Sequence, residues 1–120
     1  MTKTKALYEY FNGFMTSWPV DAVPDDATLP MLTYDVVTGA WGDLPVSITV
    51  NLWFRTDSES SANAKADELR RYITENELIT CDDGLIWVKP GSPWCQALRD
   101  DVDPFIKRRY INITLEYLTR

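Results

Sequence analysis

Histidine is absent from this chain of 120 residues. That removes the commonest general base and the commonest transition-metal ligand together. Cysteine is nearly as scarce. Cys81 and Cys95 are the only two; they form no CxxC pair and are too few for a disulfide framework. Two reduced, partly buried thiols in a cytoplasmically folded chain are expected. Apolar runs stop at four or five residues, far short of a membrane span. Met1-Thr2-Lys3-Thr4-Lys5 has no apolar stretch behind it, so the chain reads as soluble and untargeted. Positive charge is also short: 12 Lys and Arg against 18 Asp and Glu leave a net −6. Wrapping of a nucleic acid backbone is therefore not the default reading. Neither GxxxxGK(S/T) nor GxGxxG occurs, so no phosphate cradle is signalled.

What is present describes one ordinary domain spanning 1–120. Hydrophobic residues make up 45% and charged residues 25%, which excludes disordered and low-complexity classes. Leu7, Tyr10, Phe11 and Phe14 mark a short helix over about 4–12, with Gly13 placed for a left-handed end. Residues 16–30, carrying Pro19, Pro24, Pro30 and the pair Asp25-Asp26, predict an extended arm without a regular element. A strand is expected over 31–38, then a turn at Gly39–Asp43. Val46, Ile48, Val50, Leu52 and Phe54 alternate with Ser47, Thr49, Asn51, Trp53 and Arg55, a strand with one core face.

Asp57 or Ser58 can cap a helix over about 59–75, buried through Ala62, Ala66, Leu69 and Ile73. Leu78–Thr80 and Leu85–Lys89 flank Asp82-Asp83-Gly84, a hairpin signal. Turns are expected at 90–93 and 100–104, and Trp94–Leu98 fits either strand or short helix. Ile106–Leu118 alternates again, with Ile111, Ile113, Leu115 and Tyr117 on one face. The sum is an α+β single domain, a mostly antiparallel sheet packed by two helices.

Chemistry is hard to find in this pattern. A serine or cysteine nucleophile would lack its histidine base, and no lysine sits in a nucleophile motif. Eighteen carboxylates offer no spacing that selects a catalytic pair. Asp82-Asp83 and Asp100-Asp101-x-Asp103 could hold a hard cation, but each adjoins a turn where Asp serves local hydrogen bonding. The chain reads as a non-enzyme without metal or cofactor, and a small metal-dependent nuclease or hydrolase on the acidic clusters is the alternative of another class. Lys107-Arg108-Arg109 reads either as a charged strand start that discourages edge pairing or as a clamp for an acidic partner or passing phosphates. Trp87 is expected in the core. Trp41, Trp53 and Arg55 have the composition of a contact surface, unless the arm or the loop after residue 90 folds over the two tryptophans.

Several segments resemble one family. They are Tyr8-Glu9-Tyr10-Phe11-Asn12-Gly13, Val23-Pro24-Asp25-Asp26-Ala27, Pro30-Met31-Leu32-Thr33-Tyr34 and Thr38-Gly39-Ala40-Trp41-Gly42. Leu52-Trp53-Phe54-Arg55-Thr56, Gly91-Ser92-Pro93-Trp94-Cys95-Gln96 and Lys107-Arg108-Arg109-Tyr110-Ile111-Asn112-Ile113 complete the set. Together they cover about residues 6–118 and resemble the tail terminator (tail completion) proteins of long-tailed bacteriophages. The resemblance implies a structural virion protein that forms a ring, hexameric in this family, on the end of the tail tube. It implies as partners further copies of itself, the major tail tube protein and a neck or head-closure protein, with DNA only as cargo passing through the lumen. It places the chain at the head-proximal end of the tail, assembled in the host cytoplasm. A neck or head–tail connector protein is the neighbouring alternative. The contact candidates are Trp41, Trp53, Arg55, Pro24, Asp25, Asp26, Trp94, Lys107, Arg108 and Arg109.

Overall fold

The computed structural model describes residues 1–100 and 102–119. Its elements are α1 (Lys3–Asn12), β1 (Ser17–Pro19), β2 (Met31–Tyr34), β3 (Val46–Arg55), α2 (Glu59–Glu75), β4 (Leu78–Thr80), β5 (Gly84–Arg99) and β6 (Ile106–Thr119). The strands form one curled six-stranded sheet in the order β1-β2-β3-β6-β5-β4. Every neighbouring pair is antiparallel except β1 with β2. The α+β single domain expected from the sequence is the fold observed.

The two strands with the strictest alternation lie side by side, β3 against β6 over ten residue pairs. Their inward side chains Ile48, Val50, Leu52, Ile111, Ile113, Leu115 and Tyr117 are all fully buried. Ser58 caps α2, its hydroxyl accepting from the Ser60 N–H. Ala62, Ala66, Leu69 and Ile73 then turn inward as the spacing required. The small alanines let α2 lie close to β3, β5 and β6. The other helix, α1, touches β1 and β4, the two edges of the curled sheet. Two reciprocal bonds join the helices to each other and to the chain beyond α2: Tyr72 Oη donates to the Tyr10 carbonyl (2.7 Å) and Tyr10 Oη to the Asn76 carbonyl (2.8 Å).

Several expectations need correction. Gly13 is right-handed (φ −67°), not left-handed. Its value is space, since a Cβ there would lie 2.8 Å from the Tyr72 hydroxyl. The arm contains a strand after all. Ser17–Pro19 pairs in parallel with Leu32–Tyr34, and Pro19 is accommodated because β1 is an edge strand. The next strand ends at Tyr34 rather than continuing to residue 38.

Residues 90–93 do not reverse the chain. They are a bulge within β5, where the register with β6 slips between Pro90 and Cys95. Asn112 steadies the bulge by donating to the Pro93 carbonyl (2.7 Å). Trp94–Leu98 is strand. Trp87 is not core. Ile86 and Val88 on either side face inward, so Trp87 faces out and is 36% exposed. Cys81 and Cys95 are not joined in a disulfide.

With its side chain fully buried on the central strand, Ile113→Ala should destabilise the fold by about 2–5 kcal/mol. Urea denaturation measures this, and a loss below about 1 kcal/mol would contradict the central position given to β6.

Candidate functional site

The ten residues singled out from the sequence do not converge on one patch. Strand alternation splits the run Lys107-Arg108-Arg109 between the two faces of the sheet. On the helix side, Arg109 Nη2 donates to Glu59 Oε1 (3.0 Å) and Asn63 Oδ1 (2.8 Å), and its Nε also donates to Asn63 Oδ1 (3.1 Å). Lys107 Nζ lies 3.6 Å from the other Glu59 oxygen and donates to the Pro104 carbonyl (2.7 Å). At 2% exposure Arg109 is an anchor for α2, not part of a surface clamp.

Arg108 alone turns to the opposite face. Its Nε donates to Asn51 Oδ1 (2.7 Å), and its guanidinium lies 4.9 Å from the Trp53 ring centre and 5.9 Å from that of Tyr110. Trp53 is fixed in turn, its indole N–H donating to Thr33 Oγ1 (2.9 Å). Stacking of a guanidinium on tryptophan at such a site is worth about 0.5–1 kcal/mol.

This face has no helix on it. Register defines two adjacent rows across it: Trp18, Thr33, Asn51, Tyr110, Gln96, and Met31, Trp53, Arg108, Leu98. Arg108, Tyr110, Asn112, Thr114, Glu116 and Leu118, the outward residues of β6, are all half-buried. Further along, Leu78 pairs with Trp87, and Lys89 Nζ sits 4.1 Å over the Trp87 ring while pairing with Glu116 (2.7 Å).

Trp41 is elsewhere. It packs edge-on against Tyr117, ring centres 5.7 Å apart, with Lys3 Nζ 4.6 Å above it. Gly84 makes room, since a Cβ there would lie 2.7 Å from the Trp41 ring. Gly42 (φ +81°) returns the turn so that its N–H donates to the Tyr117 carbonyl (2.7 Å). Tyr117 lies nine positions along β6 from Arg108, about 30 Å of strand, so Trp41 and Trp53 form no common surface. Neither the arm nor the loop after residue 90 is what Trp41 packs on.

Trp94 lies in the bulge of β5 beneath Arg70, whose guanidinium is 5.6 Å from the ring; its indole N–H is buried with no acceptor among the described residues. Arg55 pairs with Asp103 (2.6 Å) beside the β5–β6 turn. Pro24, Asp25 and Asp26 form the tip of the arm, a turn closed by Ala27 N–H donating to the Pro24 carbonyl (3.1 Å).

Comparison with protein-family models and with curated proteins returns no match. Among the described residues no cluster of three or more metal-binding side chains is assembled. Asp82 pairs with the Met1 amine, and Asp100 accepts from the N–H groups of Val102 and Asp103. Asp101 lies outside the described residues. Thr33, Asn51 and Tyr110 were not among the expected contact residues. Alternation placed Asn51 and Tyr110 on polar strand faces, but only the β3–β6 register puts them against Arg108.

Two carboxyls lie below the ordinary carboxylate range. Glu59 does so chiefly because it accepts from Arg109; Asp103 does so through the Phe105 N–H and then Arg55. A carboxyl lowered in the folded state adds stability above its unfolded value, near 4, and that stability is lost as pH falls through the folded value. The thermal midpoint should therefore drop on acidification below about pH 4. Glu59→Gln should lower the midpoint at pH 7 and reduce the drop, as followed by circular dichroism. An unchanged acid profile would contradict this role for Glu59.

Proposed function

We propose that this chain is a structural ring protein that terminates a bacteriophage tail and joins it to the neck, without catalytic activity. The uncovered sheet face carries the reading. Thr33 holds Trp53 and Asn51 holds Arg108, whose guanidinium lies beside Tyr110, so little freedom of the Trp53 and Arg108 side chains remains to be lost on contact. Trp, Tyr and Arg are also the residue types that dominate binding energy in interfaces. A small domain offering such a face suits repeated contact, at about 800 Å² per partner, better than it suits a substrate cleft. The tail terminator resemblance, spread over about residues 6–118, supplies the ring, the tube and the neck as partners.

Electron microscopy of particles from a phage with a stop codon in this gene tests the assignment. Tails of uncontrolled length, unjoined to filled heads, are expected, and rescue by a supplied wild-type copy should exceed rescue by Trp53→Ala. Normal-length free tails beside heads that leak DNA would overturn the terminator role in favour of a neck ring.

A further inference from the structure

Charge is segregated along this chain. Residues 6–54 hold six carboxylates and no lysine or arginine, whereas Arg99, Lys107, Arg108 and Arg109 fall within eleven residues. The acidic stretch builds the β1–β2 flank of the sheet, whereas Arg99 lies on β5 at the other side, opposite Lys107 of the central strand β6. Asp25 and Asp26 occupy the centre of the arm-tip turn, both exposed and neither in an ion pair among the described residues.

On the opposite flank, a hollow of about 740 Å³ opens between the start of α2 and the hairpin, its lining including Glu59, Leu98, Arg99, Asp100, Ile106 and Lys107. Its negative groups are already engaged. Glu59 is held by Arg109 and Lys107, and Asp100 accepts from the Val102 and Asp103 N–H groups of its own turn. Arg99 is exposed and has no carboxylate partner among the described residues. Beyond the bulge, β5 has β6 on one side only, since β4 pairs only with Leu85–Trp87.

The arm returns into β2 at Met31, and the row Met31, Trp53, Arg108, Leu98 crosses the sheet to the residue beside Arg99. We propose that the Asp25–Asp26 turn of one copy seats in the Arg99–Lys107 hollow of a second copy, joining copies head to tail. This rests on the ring reading and names its contact. A contact between two different patches is heterologous and closes into a ring when the rotation allows. A guanidinium facing two carboxylates supplies the charge-assisted bonds.

Sedimentation of purified chain, with and without tail tubes, tests it through charge reversal. Asp25→Lys with Asp26→Lys forms one variant and Arg99→Glu the other; all three positions are exposed, so circular dichroism should show both folded. Each variant alone should associate about tenfold to a hundredfold more weakly than wild type. Mixing the two should restore association, because each reversed patch then meets an opposite charge. Wild-type rings with variants that assemble equally well would overturn this contact and leave the ring reading standing. A wild-type chain that stays monomeric in solution and on tubes would overturn both.

Discussion

The buried guanidinium of Arg109 fixes where α2 lies on the sheet, and most of the molecule's surface follows from that position. An arginine removed from water is tolerated only when its donors are occupied. Here Asn63 and Glu59, both in the first two turns of α2, accept from Nε and Nη2, and the Arg108 carbonyl accepts from Nη1. The stripe Ala62, Ala66, Leu69, Ile73 is thereby laid over the apolar half of β6, where Ile111, Ile113, Leu115 and Tyr117 wait for it. The hairpin beyond Arg109 is left without a roof. The hollow beside Arg99 and Lys107 is the space that the helix does not reach.

Parts of the sheet's edge are closed by the chain itself. Asn12, the last residue of α1, accepts from the Ser17 N–H (3.0 Å) and donates to the Ser17 carbonyl (3.2 Å), standing in for a further strand beside β1. Pro19 has no N–H to offer there. Beside β3, the Asp35 carboxylate accepts from the Thr49 N–H (3.1 Å) past the end of β2. Such caps discourage indiscriminate edge pairing. Against them, the bare outer edge of β5 beyond its bulge and the helix-free face around Arg108 are the surfaces left for other molecules. Their use in a ring is the proposal advanced above.

Long elements with strict periodicity were legible in the sequence. The alternation of 46–55 and 106–118 and the four-residue apolar stripe of α2 each define a buried face without help from neighbours. Short elements were not. Pro19 argued against a strand that exists because an edge tolerates proline, and 90–93 has turn chemistry that a bulge shares. Trp87 was misplaced because its type favours burial, whereas its parity with Ile86 and Val88 sends it outward. The basic run was read as one cluster although parity along β6 divides it. The contact residues were hardest. Trp53 and Arg108 are 55 positions apart, and only register makes them neighbours.

Hydrogen–deuterium exchange across a concentration series would address the head-to-tail arrangement most directly. Slowed exchange on association is expected in two separate segments, the arm around Asp25–Asp26 and the hairpin residues 95–99. No slowing at any concentration, with or without tail tubes, or slowing confined to a single self-complementary patch, would contradict head-to-tail association through opposite flanks of the sheet.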